Sequence, residues 1–207
     1  MKVHIALLFC TFFSATTMFA QLSATQVLDK TAARFGSSVT AAFSADNFSG
    51  DNKTGSTSGT IAIKGKKFVI STPGYKTWFD GKTQWTYTNA NEEVNVSTPT
   101  ADEVARMNPT SFVYLYKQGY SATVKDVTLR GKTCYEVHLK ANQGKAIKEV
   151  ILTIEKSSFT PYSIRFRQGS NQWTRITINN FTNQKTKDTA YAFNSKDYPQ
   201  AEIIDLR

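Results

Sequence analysis

Apolar residues early in the chain recur at helical spacing. Val27, Leu28, Ala32 and Phe35 fall on one side of a helix that Ser23 and Gln26 can open as a capping box, that Leu22 and Val27 can staple, and that Gly36 can close. From Val39 the period changes to two. Val39, Ala41, Phe43 and Ala45 alternate with polar neighbours, a polar loop is expected over residues 49–58, and Ile61 and Ile63 mark the strand after it. Asp80-Gly81, between Trp78-Phe79 and Trp85-Thr86-Tyr87, is the strongest hairpin signal, with positive φ expected at both central positions. Further turns are expected at residues 89–91, 130–131, 142–144 and 168–170. Between the later ones lie the alternators Tyr135/Val137/Leu139, Val150/Leu152/Ile154, Tyr162/Ile164/Phe166 and Thr174/Ile176/Ile178.

Such alternation gives a sheet one wet face and one apolar face. About ten strands of this kind curl, since strongly twisted open sheets rarely grow larger. The predicted fold is mainly β: a curved antiparallel sheet forming a barrel or half-barrel.

The middle of the chain interrupts the strands. Thr100 with Glu103 makes a second capping box for a short helix carrying Val104 and Met107. Asn108-Pro109 ends it and starts another with Phe112, Val113, Leu115 and Tyr116, which Gly119 stops. Isolated helices of this length are marginal in water, so both must lie on the sheet. They either complete an ordinary core or form a lid over a hydrophobic cavity, with Met107 as an adaptable filler.

Composition narrows the chemistry. The chain has 207 residues, 40% of them hydrophobic, which suffices for one buried core and excludes a disordered chain. Residues 1–20 read as a secretory signal cleaved after Ala20: Lys2 starts it, an apolar run follows from Ile5 to Phe13, and that run is shorter than the roughly 20 residues a membrane span needs. Residues 21–207 are expected to fold as one domain outside the cytoplasm. Losing Lys2 leaves +8 of the formal charge of +9, with one thiol, Cys134, and one imidazole, His138. That count leaves no internal disulfide and no Cys/His zinc site. Cys134 and His138, four residues apart on one strand, stand about 13 Å from each other and make no dyad. The basic excess could serve a rim facing lipid headgroups or acidic partners, or merely a solvated face; export argues against nucleic acid.

The order of these features resembles the bacterial outer-membrane lipoprotein carrier family (LolA-like). The resemblance is carried by the strand Gly59-Thr60-Ile61-Ala62-Ile63-Lys64, by Phe68, by the hairpin from Asp80 to Tyr87, by Asn108-Pro109 with Phe112, and by the tail from Phe193 through Tyr198-Pro199 to Ile203-Ile204-Asp205. It implies an unclosed β-barrel lidded by helices, with a hydrophobic cavity that ferries lipoproteins through the periplasm, and no cofactor, metal or catalytic residue. Implied partners are triacylated lipoproteins, an inner-membrane ABC-type lipoprotein-releasing complex, and an outer-membrane acceptor or the membrane itself, met by a monomer. Many members carry an Arg after the Lys of the strand, where it holds the lid. Here that position is Gly65, followed by Lys66 and Lys67.

The expected lipid-binding residues are Phe43, Ile61, Ile63, Phe68 and Ile70 on the early wall, Trp78, Trp85 and Tyr87 from the hairpin, and Met107, Phe112, Leu115 and Tyr116 from the lid. Alternation admits only some of positions 78, 79, 85 and 87 to the inside. Two other readings stay open: a lipid- or glycolipid-binding or sensing module on the same fold, and a carboxylate-based hydrolase. Against the second, Asp80 is explained by a turn and Glu103 by a cap.

Overall fold

The computed structural model describes residues 21–36 and 38–207. The leader read from the sequence therefore lies outside the described residues. Helix α1 (Ala24–Phe35) starts as expected: the Ser23 hydroxyl accepts from the Gln26 N–H, and the Gln26 side chain accepts from the Ser23 N–H. It buries Ala24, Val27, Leu28, Thr31 and Phe35, and ends at Gly36.

An antiparallel meander follows, made of β1 (Val39–Ser49), β2 (Asn52–Lys64), β3 (Lys67–Ser71), β4 (Tyr75–Phe79), β5 (Gln84–Thr88) and β6 (Glu93–Ser97). Helix α2 (Ala101–Met107) and a 3-10 helix (Pro109–Gln118) come next. A second meander has β7 (Tyr120–Leu129), β8 (Lys132–Ala141), β9 (Ile147–Glu155), β10 (Pro161–Gln168) and β11 (Gln172–Asn183), and β12 (Glu202–Asp205) completes the chain. All strands join one sheet in the order β12-β6-β5-β4-β3-β2-β1-β11-β10-β9-β8-β7. The two meanders meet at the antiparallel β1/β11 pair, while β12 lies parallel to β6. Strands β12 and β7 end the sheet unpaired with each other, so the barrel is unclosed. The link from β6 to β7 has to pass from one end of the sheet to the other, and it carries α2 and the 3-10 helix.

Three local expectations need correction. Residues 52–58 are not a loop but the first half of β2, paired with β1 from Ser49 to Ser44. Their Asn, Lys, Thr and Ser side chains lack apolar alternation because most of them are exposed; backbone pairing makes the strand, with Lys53 and Ser56 bonded across it to Asp46. The Asp80-Gly81 turn exists, but only Gly81 has positive φ (+104°). Asp80 instead folds a four-residue link, its Oδ1 accepting from the N–H groups of Lys82 and Thr83 at 2.9 and 2.8 Å. The second insertion helix is of the 3-10 type, capped by the Asn108 side chain and ended by Gly119 at φ +82°.

The apolar face is filled unevenly. Over β8–β10 the core is dense: Val137, Leu139, Val150, Leu152, Ile154 and Ile164 are fully buried beneath Val27, Leu28, Phe112 and Val113. Over β1, β2 and β11 it is looser: Val39, Ile63 and the neighbouring Phe68 of β3 are buried, but Phe43, Ile70 and Ile176 stay partly exposed.

Gly59 lets the end of β3 approach the backbone of β2 closely. A Cβ there would stand 2.1 Å from the Ser71 carbonyl oxygen, where β3 begins to part from β2. Gly59→Ala is expected to lower stability by about 1–3 kcal/mol in urea unfolding, through backbone displacement. An unchanged midpoint would contradict this.

Candidate functional site: a half-roofed apolar cavity

The uncovered half of the concave face encloses a cavity of about 240 Å³. Strand β1 provides Val39, Ala41, Phe43 and Ala45, and β2 provides Ile61 and Ile63. Ile70 comes from β3, and Ile176, Ile178 and Phe181 come from β11. Phe35 of α1 and Met107 of α2 roof it, and Phe166 of β10 separates it from the dense half, where that ring stacks on Phe112 with centroids 5.0 Å apart. Among the described residues, no Asp, Glu, Lys or Arg lines it.

Register explains why these side chains meet. Val39 faces Ile63, Ala41 faces Ile61, and Ile61 faces Ile70, so one apolar row crosses three strands. Ile178 and Phe181, three residues apart, share this side although strict alternation forbids it. A bulge in β11 reconciles them: the register against β1 slips between Thr40/Thr182 and Ala42/Asn179, and Asn180 takes φ +49°. Phe181 then packs edge-on against Phe35 at 5.6 Å. The sequence reading named Ile176 and Ile178 as alternators but not as site residues, and it missed Phe181. The Asn179-Asn180 pair, tolerant of positive φ, was the available signal.

Of the expected residues, the structure brings Phe43, Ile61, Ile63, Ile70 and Met107 to the cavity. Phe68, Phe112 and Leu115 lie on the concave side but inside packed core, Phe68 against Phe79 at 5.2 Å. Tyr116 is half-buried, and its hydroxyl donates to the Asp29 carboxylate, tying the 3-10 helix to α1 and raising the phenol's pKa above its ordinary value. Trp78, Trp85 and Tyr87 are the correction. They sit on the opposite face of the sheet, Trp78 directly across from Trp85. The chain after β11 covers that face: Phe193 and Tyr198 each meet Trp78 at 5.5 Å, and Tyr198 meets Tyr87 at 4.7 Å. Two faces of β4 are apolar because both are covered, which periodicity cannot reveal.

Gly65 is no latch for the lid. It occupies the tight turn between β2 and β3 at φ +58°, a conformation that favours glycine. Lys64 and Lys67 do not replace an arginine either, since both bind Asp188 after β11, at 2.5 and 3.0 Å, and hold its carboxyl below the ordinary range. The helical segments are instead held by apolar packing and by Asp29.

Cys134 and His138 lie outside the site. The thiol is buried, which pushes its pKa up, and His138 contacts Glu149, which also accepts from Arg167 at 2.9 Å. Among the described residues no cluster of three His, Cys, Asp or Glu could hold a metal, and no helix is long and apolar enough to cross a membrane.

With this geometry in view, comparison with known proteins is decisive at the family level. Residues 15–172 match the family described as outer membrane lipoprotein carrier protein LolA. The chain belongs to the LolA family. Among curated proteins no sequence matches. An uncharacterized conserved protein from Thermus thermophilus has a similar fold, with a TM-score of 0.60 at 12% identity, covering 88% of this chain and 98% of that one. A LolA superfamily protein from Nitrosomonas europaea aligns at TM-score 0.44 and 12% identity, over 84% of this chain and 99% of that one. A putative outer membrane lipoprotein-sorting protein domain from Vibrio parahaemolyticus aligns at 0.43 and 9%, over 84% and 95%. The match to the LolA family ends at the start of β11. The segment that covers Trp78 and Tyr87 therefore lies beyond it.

The contrast between the two halves is measurable. Ile164 and Ile176 face each other across β10 and β11, yet Ile164 is fully buried while Ile176 borders the cavity. Ile164→Ala is expected to cost about 2–5 kcal/mol in urea unfolding, and Ile176→Ala less than about half as much, because space already adjoins it. Equal losses would mean that the second half is packed as well.

Proposed function

We propose that this protein is a periplasmic carrier without chemistry of its own, which takes the acyl chains of triacylated lipoproteins into the cavity and moves them from the inner to the outer membrane. The observation that carries this reading is the vacant apolar half of the concave face beneath Phe35 and Met107. Membership in the LolA family supports it, as does a cavity lining that, among the described residues, holds no carboxylate for a hydrolase.

The resting cavity is smaller than the roughly 300–1,000 Å³ of sites that hold drug-sized ligands, so three chains require the roof to move. Helix α2 is the part suited to move, because it packs on the 3-10 helix more than on any strand. The 3-10 helix is pinned by Phe112, Val113 and Leu115.

Energetics fix the mode of transfer. Three chains of about 15 methylenes, at about 0.8 kcal/mol each, would gain about 36 kcal/mol if wholly buried. That exceeds the ceiling of about 21 kcal/mol for non-covalent affinity, so burial is partial or offset by the cost of opening. Release goes to another apolar site, an outer-membrane acceptor or the membrane, and never to water. Loading needs work, and the sequence has no phosphate-binding loop of the GxxxxGK[ST] type, so an energised inner-membrane complex of the ABC type would supply it.

The small resting volume favours one second reading, a module that binds a single free lipid or glycolipid. Native mass spectrometry of protein purified from its host separates the two: bound triacylated polypeptide supports the carrier, and free lipid alone supports the second reading. Phe112 is too deeply packed to probe the roof, because a charge there would sit unpaired in the core. Met107, half-buried at the cavity, is the better position. Met107→Asp is expected to weaken acyl-chain uptake about tenfold or more with an unchanged circular dichroism spectrum. Unaltered uptake would remove α2 from the mechanism.

A further inference from the structure

Beside the cavity runs a larger recess of about 820 Å³, which shares Phe35 and Ile63 with it. One bank consists of two neighbouring turns. Phe68 pairs with Phe79, which sets the β2–β3 turn with Lys66 beside the β4–β5 turn with Lys82. The other bank is helical and mixed, presenting Asn108, Thr110, Ser111 and Gln118 among Ala101, Val104 and Tyr114. Among the described residues the recess is lined by these two lysines and by no Asp or Glu. Both lysines are exposed and, unlike Lys64 and Lys67, make no ion pair among the described residues. A second, smaller recess shares Thr98 and Pro99 with the first and Met107 with the cavity. On it lies Gln84, whose Oε1 is buried without a hydrogen-bond partner among the described residues.

We infer that this groove receives the polypeptide that follows the lipid-bearing residue of the cargo, and that it selects segments with acidic side chains near the lipid. The inference rests on the carrier reading and adds to it. Acyl chains in the cavity would bring their head out past Phe35 and Ile63, straight into the groove. The groove has more than three times the cavity's volume, which exceeds the need of a compact headgroup and suits several residues of extended chain. Its hydroxyl and amide side chains can pair with peptide groups, and Lys66 and Lys82 supply charge without an ion-pair partner among the described residues, the carboxylate of Glu103 lying in the smaller recess that holds Gln84.

The test uses three synthetic lipopeptides with the same tripalmitoyl-cysteine, followed by serine and then three glutamates, three glutamines or three lysines. Each displaces a fluorescent fatty acid from the full mature chain. The acidic lipopeptide is expected to bind about three- to tenfold more tightly than the neutral one at low salt, the scale of two exposed ion pairs. That preference should vanish in 1 M salt, where screening acts over about 3 Å, and in the Lys66→Gln/Lys82→Gln double variant, which should bind the neutral lipopeptide as the parent does. Equal affinity for all three, or a preference that survives the double substitution, overturns this inference and leaves the carrier reading intact. Failure of every lipopeptide to displace the probe overturns both. A lysine-dependent preference for dipalmitoyl phosphatidylglycerol over its neutral diacylglycerol, with none among the lipopeptides, overturns the peptide assignment in favour of a lipid headgroup.

Discussion

The concave face of the sheet presents apolar side chains from β2 through β1 and β11 to β8, and the helical segments cover only the β8–β10 side of it. On that side Phe112 of the 3-10 helix stacks on Phe166 and, with Val113, is buried in one cluster with Ile164 and Leu152, with α1 alongside, and the interior has the density of an ordinary core. On the other side, among the described residues of the helical segments, Phe35 and Met107 alone border the cavity over β1, β2 and β11. Apolar surface left without neighbours loses dispersion contacts and stays attractive to any apolar guest. The imbalance between a wide apolar floor and a narrow roof is the constraint on which the site depends.

Two features of the backbone create that imbalance. The β11 bulge turns Phe181 inward to meet Phe35, which closes one end of the cavity while leaving the space between Ala41, Ile61 and Ile178 open. Alanines at positions 41 and 45 keep the floor low where larger side chains would fill it. The unclosed sheet matters equally. Because β7 and β12 do not pair, the helical link spans the gap; its 3-10 helix is fixed against the sheet by Phe112, while α2 rests chiefly on the 3-10 helix. A firmly packed element thus carries a loosely supported one, the arrangement expected of a roof that opens on one side.

Much of this was legible in the residues. Both capping boxes, the Asn108-Pro109 junction and the early wall at Phe43, Ile61, Ile63 and Ile70 follow from local chemistry, as do the alternators of β8–β11 save Tyr162, which a bulge between Pro161 and Ser163 sets against Lys132 outside the core. What failed did so where a strand's environment differs from one wet and one dry face. Residues 52–58 are mostly exposed, so nothing apolar marks them. Trp78 and Phe79 are dry on both sides, because the chain after β11 returns over the outer face with Phe193 and Tyr198. A contact across more than a hundred residues leaves no local trace. Lys64 gave no hint of its partner for the same reason, Asp188 being distant in sequence.

Isoleucine methyls offer a direct view of the two halves. In protein labelled at those methyls and loaded with a palmitoylated ligand, nuclear Overhauser contacts between the acyl chain and isoleucine should appear at Ile61, Ile70, Ile176 and Ile178, and be absent at Ile154 and Ile164. Contacts spread over both groups, or confined to the exposed Ile203 on β12, would contradict a half-vacant interior as the seat of binding.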